Sequence, residues 1–468
     1  MPNIFQEKEV IIQYFSERGL LIAPDALNTM LRESLGSYVL ELISEDSIAS
    51  GYVTENIVIE AIRKQHTVKA PEYEVDFANV RINSSVDDFR NYFRSRYEKV
   101  KRLITLSISM RGTTSIKSAK RLMNGEVKIV GMVQDQNVTV NGNRRLVVED
   151  LEDSITVILM KRNGLAGEVI LLDEVIGIVG GISTKDKDPV IFAREIIRPD
   201  IPAGSIREYS GEPAIVGSIS DIHVGSKTFL GDSFKKMISW IKSGGEETSS
   251  LKYLVLSGDV VDGIGVYPSQ ERDLEIQNPF EQYLRLNDYI SEIPEEIKVF
   301  IMPGNHDIVR LAEPQPVLPE RLRKEFSSNV TFLPNPFNLQ LEGRRVLLYH
   351  GMSLNDIVEL VPGMNFDTIG RAVEEILRRR HLAPRYGGKT PLIPAPEDYH
   401  VIEEVPDIFI TGHVHSHAMG NYRGVRYVNS STWQSQTDYQ KMMNFSPNPC
   451  MLTLFDLNSS NYFAKDFK

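Results

Sequence analysis

The sequence has little of what marks membrane, secreted or thiolate-metal proteins. Its 468 residues include one cysteine, Cys450, which excludes an intrachain disulfide and a thiolate metal cluster. No apolar run approaches the roughly 20 residues that span a bilayer, and the N-terminus lacks the apolar stretch of a signal peptide. We therefore expect a cytoplasmic protein without a membrane partner. Any metal site in it would use histidine, carboxylate and amide ligands.

Positive charge is also in deficit, because 52 Lys and Arg stand against 63 Asp and Glu and the formal net charge is -11. This balance argues against a chain that coats nucleic acid along its whole surface. The exception lies between Arg90 and Arg121, where ten basic residues accompany a single acid, Glu98. Such a segment fits contact with DNA phosphates or with an acidic partner. A solvated helix face explains the same pattern, and both interpretations stay open.

Changes in hydrophobic period divide the chain into four predicted segments. Residues 1–70 have apolar residues at helical spacing and predict a small helical domain. Residues 71–124 predict a polar linker and an amphipathic helix, whose aromatic residues are expected to pack rather than to stack on bases. Residues 125–204 predict five short strands, for which an OB-fold barrel is a common arrangement. Residues 205–468 alternate strands with helices and predict a layered α/β domain.

Metal-competent residues follow five apolar strands of this last segment. The groups are Asp221-Ile222-His223, then Asp259 with Asp262, then Asn305-His306-Asp307, then His350, then His413-Val414-His415. In α/β sheets, ligands gather at the carboxyl ends of strands. Each group alone is more often a turn or a local hydrogen bond. Their occurrence in this order, each after a strand, predicts one common site.

The residue types suit the hydrolysis of a phosphoester by two metal ions. Two divalent cations about 3.5–4 Å apart can hold the attacking and leaving oxygens of an in-line displacement and generate a hydroxide near neutral pH. Imidazole, carboxylate and amide ligands favour manganese, with magnesium, iron or zinc as alternatives. A histidine that does not bind metal can protonate the leaving oxygen. Neither a P-loop nor a nucleophile elbow is present in the sequence.

The five groups together, over residues 215–430, resemble the calcineurin-like metallophosphoesterase superfamily. The resemblance implies a layered β-sandwich flanked by helices for residues 205–468. It also implies a set of ligands for two divalent metals, with Asp259 bridging: Asp221, His223 and His415 for one, and Asn305, His350 and His413 for the other. His306 is implied to be the acid for the leaving group, and Asp307 to orient it. His417 receives no role.

The order of basic helix, barrel and phosphoesterase is similar to that of the small subunits of archaeal D-family DNA polymerases. Two further stretches carry this resemblance, RRRHLAPRYGGKTPLIPAPEDY and YVNSSTWQSQTDYQ. The resemblance implies a 3′–5′ exonuclease that acts on single-stranded or mismatched DNA ends and supports a large polymerising subunit. A sliding clamp is a further candidate partner.

Two alternatives remain, and basic residues near the site bear on the choice. The protein could be a catalytically silent scaffold subunit of the polymerase, or a phosphatase or phosphodiesterase with a substrate other than DNA. Basic residues between the fourth and fifth groups predict contact with the DNA backbone, although a solvated helix end is the other interpretation. These residues are Arg378, Arg379, Arg380, Arg385 and Lys389.

Overall fold

The structure is a computed structural model that describes residues 8–33, 43, 51–59, 77, 85–122, 124–184, 188–203, 213–245, 248–442 and 445–468. The chain divides into two compact units, Met1–Glu74 and Val75–Lys468. The predicted segment boundaries at residues 70–71 and 204–205 lie outside the described residues. Within the described ranges, no helix is both long and apolar enough to cross a membrane.

The first unit contains helices α1 (Lys8–Ser16) and α2 (Pro24–Glu33), as the helical spacing predicts. Proline at the first position of α2 suits a helix start, because its missing N–H would have no partner there. Two short strands, β1 (Leu21–Ile22) and β2 (Tyr52–Val53), pair in parallel and were not predicted. Each of these strands is only two residues long, so the local sequence pattern is too short to predict them.

The second unit begins with the amphipathic helix α3 (Val86–Thr105). Ser85 caps this helix, because its side chain accepts from Asp88 N and the Asp88 carboxylate accepts from Ser85 N. Tyr92 and Tyr97 are buried, which confirms that these aromatics are packing residues. At least one residue of the predicted basic segment makes its contacts inside the protein, because Arg96 is buried against other elements.

Arg96 joins α3 to a loop about 300 residues further along the chain. Its Nε donates to Asp398 Oδ2 at 2.7 Å, and both side chains are almost completely buried. His381 and His400 also bond to Asp398, and His400 continues the network to Glu313. This buried ionic network fixes α3 against the domain that carries the predicted site.

A closed barrel follows α3 and the short helix α4 (Ile116–Ala119). Its strands are β3 (Asn124–Val138), β4 (Arg144–Glu149), β5 (Ser154–Leu159), β6 (Val175–Ser183) and β7 (Val190–Ile197). The strand order is β3-β4-β5-β7-β6, and β3 closes the barrel by pairing with both β4 and β6. All five predicted strands are thus present. The interior is apolar and filled, with Ile129, Val157 and Ile178 completely buried.

Two sheets carry the rest of the second unit. The first has the order β11-β10-β9-β8-β17-β18 and the second β12-β13-β14-β16-β15. The strands of the first sheet are β8 (Ile215–Ile219), β9 (Leu251–Ser257), β10 (Lys298–Met302), β11 (Val330–Phe332), β17 (Met451–Asp456) and β18 (Tyr462–Asp466). The strands of the second sheet are β12 (Phe337–Leu341), β13 (Arg344–Leu348), β14 (Ile408–Thr411), β15 (His417–Tyr422) and β16 (Val425–Ser430). Ser218 Oγ of one sheet lies 2.6 Å from Ser430 Oγ of the other, so the sheets face each other.

Helices cover the outer faces of this sandwich. The helices of this region are α5 (Gly231–Lys242), α6 (Pro279–Ile290), α7 (Glu320–Arg323), α8 (Leu354–Leu360), α9 (Ile369–Arg379) and α10 (Asp438–Met442). Buried side chains of α5 and α6 pack on the first sheet, and those of α8 and α9 pack on the second. Helix, sheet, sheet and helix layers therefore form a mixed α/β domain, as the sequence predicts.

Candidate metal centre

The sheet topology brings all five predicted groups to one region. Strands β8, β9 and β10 are parallel neighbours in the first sheet, and β13 and β14 are parallel neighbours in the second. The predicted groups follow the carboxyl ends of these five strands, where parallel strands leave an open edge. Side chains from both sheets consequently meet in three clusters of potential ligand atoms; two of them correspond to the predicted ligand sets, and the third contains His223, Asp262 and His306.

The first cluster contains Asp221, His223 and His415, whose ligand atoms lie within 4.8 Å of one another. His223 Nε2 is 3.1 Å from His415 Nε2, and His415 Nε2 is 3.4 Å from Asp221 Oδ1. Two imidazole nitrogens at this distance repel unless a proton or a cation lies between them. The arrangement suits a divalent metal, because neutral imidazole and carboxylate are its ordinary ligands.

The second cluster contains Asp259, His350 and His413, again within 4.8 Å. His350 Nε2 is 3.2 Å from Asp259 Oδ2 and 3.1 Å from Asn305 Oδ1, so the Asn305 amide also belongs to this group. The structure therefore assembles the two ligand groups that the sequence resemblance implies. Asp259 is 2% exposed, and its second oxygen, Oδ1, accepts the backbone N–H of His306 at 2.7 Å.

Two buried polar atoms of the clusters suit a bound cation. Asp221 Oδ1 and His413 Nδ1 are buried and have no hydrogen-bond partner among the described residues. A buried polar group without a partner costs about 1–3 kcal/mol. Both atoms belong to the clusters, so the residues present fit bound cations. Each cluster offers one ligand atom that makes no hydrogen bond among the described residues.

The backbone at the site adopts conformations that side chains usually avoid. Positive φ angles of 50°, 53°, 49°, 72° and 56° occur at Asp221, His223, Asp259, His413 and His415. Strained backbone of this kind costs of the order of 1–3 kcal/mol per residue and concentrates at functional sites. Its presence at five of the seven predicted ligands indicates that the fold holds them in place against local preference.

Close approach also requires glycine beside the ligands. A Cβ on Gly304 would lie 2.2 Å from Asp259 Oδ1, and a Cβ on Gly412 would lie 2.5 Å from Asp221 Oδ2. Both distances are impossible for real atoms, so neither position accepts a side chain without moving a ligand. Lack of room for a Cβ therefore explains the glycines of the Gly-Asn-His-Asp and Gly-His-x-His motifs.

The buried carboxylates make the site attract positive charge. Burial disfavours the imidazolium of His350, but the Asp259 carboxylate outweighs it and raises the pKa of His350 to about 10. Burial likewise opposes a charged His223, yet its bond to Asp262 raises its pKa to about 9. Burial and the neighbouring His350 lower the pKa of His413 to about 3. A cation in these clusters would take the place of the protons that the carboxylates otherwise stabilise on His223 and His350.

Outer partners fix the orientation of each imidazole. His223 Nδ1 lies 2.9 Å from Asp262 Oδ1, and His350 Nδ1 lies 2.9 Å from the backbone oxygen of Ser257. Such second contacts orient a ligating histidine and select its tautomer. The sequence drew attention to Asp262 but gave it no role.

Two further partners were missed by the sequence analysis. The Asn355 amide lies 2.8 Å from His413 Nε2, and the Gln440 amide lies 2.8 Å from His415 Nδ1. Gln440 lies in the stretch YVNSSTWQSQTDYQ that carried the family resemblance, which was the one available signal for it. Nothing in the local pattern around Asn355 indicates its role.

The structure corrects the predicted role of Asp307. Its carboxylate accepts from Tyr283 Oη at 2.7 Å and from Gly304 N at 2.8 Å, so it holds the turn that carries Asn305 and His306. The described hydrogen bonds include none between Asp307 and His306. His306 Nδ1 instead lies 2.8 Å from the backbone oxygen of Asp262, which orients the ring. Burial and the Asp259 charge raise the pKa of Asp307 to about 7.

The five basic residues predicted to contact DNA separate into two groups. Arg379 is 2% exposed and pairs with Glu375. Arg380 is 3% exposed, and its Nε donates to the backbone oxygen of Ile402 at 2.7 Å. These two guanidinium groups are used inside the protein, which corrects the prediction that they contact DNA.

The other three basic residues are more accessible. Arg378 and Lys389 have side chains 38% and 63% exposed, with ion pairs to Glu375 and Glu359. Arg385 is partly buried. Surface ion pairs of this kind contribute little and exchange readily for phosphate. Contact of these three residues with DNA stays a prediction.

The chain is similar to proteins of known family. Residues 216–419 match the model of the family of DNA polymerase alpha/epsilon B subunits. The DNA polymerase II small subunit of Thermoplasma acidophilum is 58% identical over 461 residues, which cover 98% of this chain and 93% of the relative. The DNA polymerase II small subunit of Archaeoglobus fulgidus is 43% identical over 372 residues, 78% of this chain and 74% of the relative. Among solved structures, an archaeal phosphodiesterase aligns with 54% of this chain at 12% identity and a TM-score of 0.28, too low to support an argument.

Proposed function

This chain belongs to the family of archaeal DNA polymerase II small subunits, and from that premise we propose that it hydrolyses DNA from the 3′ end with two metal ions. One observation carries the proposal. The seven predicted ligand residues come together at the edge where the two sheets meet, with both carboxylates buried and five of the seven residues in the left-handed conformation. A subunit that served only as a scaffold would have no need to keep two orphaned ligand atoms and five left-handed residues there.

The proposed ligands follow the two clusters. Asp221, His223 and His415 would hold one ion, and Asn305, His350 and His413 the other, with Asp259 shared between them. Bound divalent ions, of which Mn²⁺ is the first candidate, would supply an activated water and neutralise charge on the phosphate. The protein's own contribution is to hold the ligands rigidly, since their backbone and outer contacts are fixed before substrate arrives.

His306 is the proposed general acid. Its Nδ1 is directed at the backbone oxygen of Asp262, so Nδ1 carries a hydrogen and Nε2 is the atom left for substrate. Burial lowers the pKa of this histidine, which favours release of its proton. In the proposed step His306 acts as the imidazolium, with hydrogens on both ring nitrogens. Water adds to phosphorus and loses its proton to solvent, and the bond to the 3′ oxygen of the preceding nucleotide breaks. That oxygen takes the proton from His306 Nε2, which leaves a neutral ring with its hydrogen on Nδ1.

The remaining parts of the chain suit a subunit of a larger enzyme. The closed barrel, in which β5 and β7 are parallel and the other pairs antiparallel, is proposed to be an OB-type barrel. A large polymerising subunit is the partner that the family name implies, and DNA ends are the proposed substrate. Arg378, Arg385 and Lys389 are proposed to hold the DNA backbone. The sliding clamp stays a predicted partner, and the cytoplasm is the compartment that this function requires.

The test uses single-stranded oligonucleotides labelled at either end, purified protein and Mn²⁺. We expect stepwise shortening from the 3′ end that needs metal and is lost in His306→Ala. His417→Ala is the matched control, because this histidine bonds to Thr453 and lies outside both clusters. Loss of activity in the control as well would indicate damage to the fold.

The same assay separates the alternatives. Hydrolysis of 4-nitrophenyl phosphate without hydrolysis of DNA would identify a phosphatase. Absence of any hydrolysis, both alone and with the large subunit added, would identify a scaffold. Shortening from the 5′ end would contradict the proposed polarity.

A further inference from the structure

A short loop beside the proposed acid exposes apolar side chains. The loop covers residues 263–267, with the sequence Gly-Ile-Gly-Val-Tyr, and follows Asp262 directly. Ile264, Val266 and Tyr267 are 50%, 37% and 40% exposed. Leu311, in the loop that follows His306, is 51% exposed. Exposed apolar side chains next to a site for a highly charged phosphoester suit a ligand that has both features.

The 263–267 loop is firmly held. Gln282 accepts from Gly263 N at 2.8 Å and donates to Gly263 O at 3.1 Å. Gln270 accepts from Val266 N at 2.9 Å and donates to the backbone oxygen of Asp262 at 2.8 Å, while being completely buried itself. Tyr267 Oη donates to Asp273 Oδ2 at 3.0 Å, beyond the loop. A surface held in this way is ready for a ligand before the ligand arrives, which reduces the entropy cost of binding.

The loop is continuous with the candidate metal centre. The backbone oxygen of Asp262 is the group that orients His306, and the Asp262 carboxylate orients His223. Gly263 touches the His306 backbone so closely that a Cβ would lie 2.2 Å from its oxygen. Four residues span at most about 14 Å, so Val266 lies within that distance of Asp262.

An unpaired nucleobase is the ligand with matching chemistry. The phosphate of the cleaved bond would bind at the metals. The base of a nucleotide next to that bond has an apolar π face, which could meet the loop. Stacking on aromatic and apolar side chains is worth about 1–3 kcal/mol per base and tolerates any sequence. In a duplex both faces of a base are already covered by neighbours, so such a surface favours a frayed or single-stranded end.

We propose that the 263–267 loop is a stacking platform for an unpaired nucleobase adjacent to the phosphodiester held at the metal clusters. This inference rests on the proposed function, since it assigns the single-strand preference of the same site to named residues. Ile264, Val266 and Tyr267 select the form of the DNA end, while the clusters perform the hydrolysis.

The test compares Val266→Ser/Tyr267→Ser with two controls. Tyr267→Phe keeps the ring and loses only the hydroxyl contact, and Leu284→Ser removes an exposed apolar side chain from α6, outside the loop. Substrates are a single-stranded oligonucleotide, the same oligonucleotide with abasic units at its 3′ end, and bis(4-nitrophenyl) phosphate. The full chain is used with Mn²⁺, together with the large subunit if the chain alone is inactive.

We expect the double variant to raise KM for the oligonucleotide about 5- to 150-fold, the equivalent of about 1–3 kcal/mol. With the abasic end, KM of the wild-type protein should rise by a similar factor, whereas KM of the double variant should rise little further. The abasic end and the double substitution remove the same contact, so their effects do not add. Tyr267→Phe, Leu284→Ser and hydrolysis of bis(4-nitrophenyl) phosphate should be unchanged.

Other outcomes overturn the inference in distinguishable ways. An unchanged KM in the double variant, or equal losses on normal and abasic ends, would show that the loop does not stack on a base. Weaker binding of the large subunit with an unchanged KM would make the loop a partner surface instead. If the wild-type protein cleaves no DNA, the proposed nuclease fails, and fluorescence anisotropy with the same oligonucleotides then decides the loop's role. In that case weaker binding by the double variant supports it and equal binding refutes it.

Discussion

Replacing Asn355 by leucine should weaken Mn²⁺ binding while leaving the fold intact. The Asn355 amide lies 2.8 Å from His413 Nε2, and His413 Nδ1 has no partner among the described residues. If His413 binds metal through Nδ1, its hydrogen must be on Nε2. Asn355 Nδ2 is the atom that lies at Nε2 and it cannot accept that hydrogen, so metal binding requires the Asn355 amide to turn over and present its oxygen. Leucine has a similar size but no acceptor, so the imidazole loses the contact that fixes its tautomer.

The size of the effect follows from the loss of one outer contact of a metal ligand. Such losses usually cost 10- to 100-fold in metal affinity, or about 1.4–2.7 kcal/mol. Asn355→Asp keeps an acceptor oxygen in the same place and should bind Mn²⁺ at least as tightly as the wild-type protein. The pair of variants therefore separates the acceptor from the volume of the side chain.

Isothermal titration of the metal-free protein with Mn²⁺ measures the effect without using activity. Thermal unfolding of each variant in EDTA serves as the control for folding, and we expect equal midpoints there. A wild-type Kd in Asn355→Leu would refute the reasoning. So would an equal loss in Asn355→Asp, because the acceptor would then be irrelevant.

Three further outcomes are expected. Burial disfavours a charged His400, but its carboxylate partners raise its pKa to about 9. The stability that this charge contributes is therefore complete below pH about 6.5 and is lost as the pH rises to 9. In urea unfolding at both pH values, the free energy of unfolding should fall less in His400→Gln than in the wild-type protein. Arg96→Met leaves Asp398 buried without its main partner and should lower the free energy of unfolding by about 3–5 kcal/mol, with a smaller loss in Arg96→Lys; equal denaturation midpoints would contradict this. Arg385→Ala and Lys389→Ala should weaken oligonucleotide binding equally for all sequences and reduce the slope of log affinity against log salt by about 1 each, and an unchanged slope would remove these residues from the DNA contact.

The candidate ligands could be predicted because their signal is local. Each group follows an apolar strand directly, and the change from apolar to metal-competent residues is visible within a few positions. Parallel strands place their carboxyl ends together, so order along the chain implied proximity in space. The five barrel strands and the helices of the first unit were predicted for the same reason, since period and turn residues are local properties.

The contacts that orient the ligands could not be predicted. Asn355 and His413 are 58 residues apart, and the Asp262 oxygen that orients His306 is 44 residues away from it. The family resemblance implied that Asp307 orients His306, whereas the turn directs Asp307 to Tyr283 instead. Contacts between distant residues depend on how the elements pack, and local pattern carries no information on packing.

By itself the sequence determined the chemistry available to this protein: the ligand types, their order, the absence of thiolate sites and the kinds of element that carry them. Tertiary structure alone decided which charged groups are accessible and which are used internally. Arg378, Arg379 and Arg380 are consecutive and chemically identical, yet the first is 38% exposed while the other two are almost completely buried. The reason is physical. Arg378 and Arg379 are both helical and differ by about 100° around the axis of α9, whereas Arg380 lies past the helix end in the left-handed conformation, so the three guanidinium groups meet different surroundings. Burial then requires each charge to find a partner inside the protein.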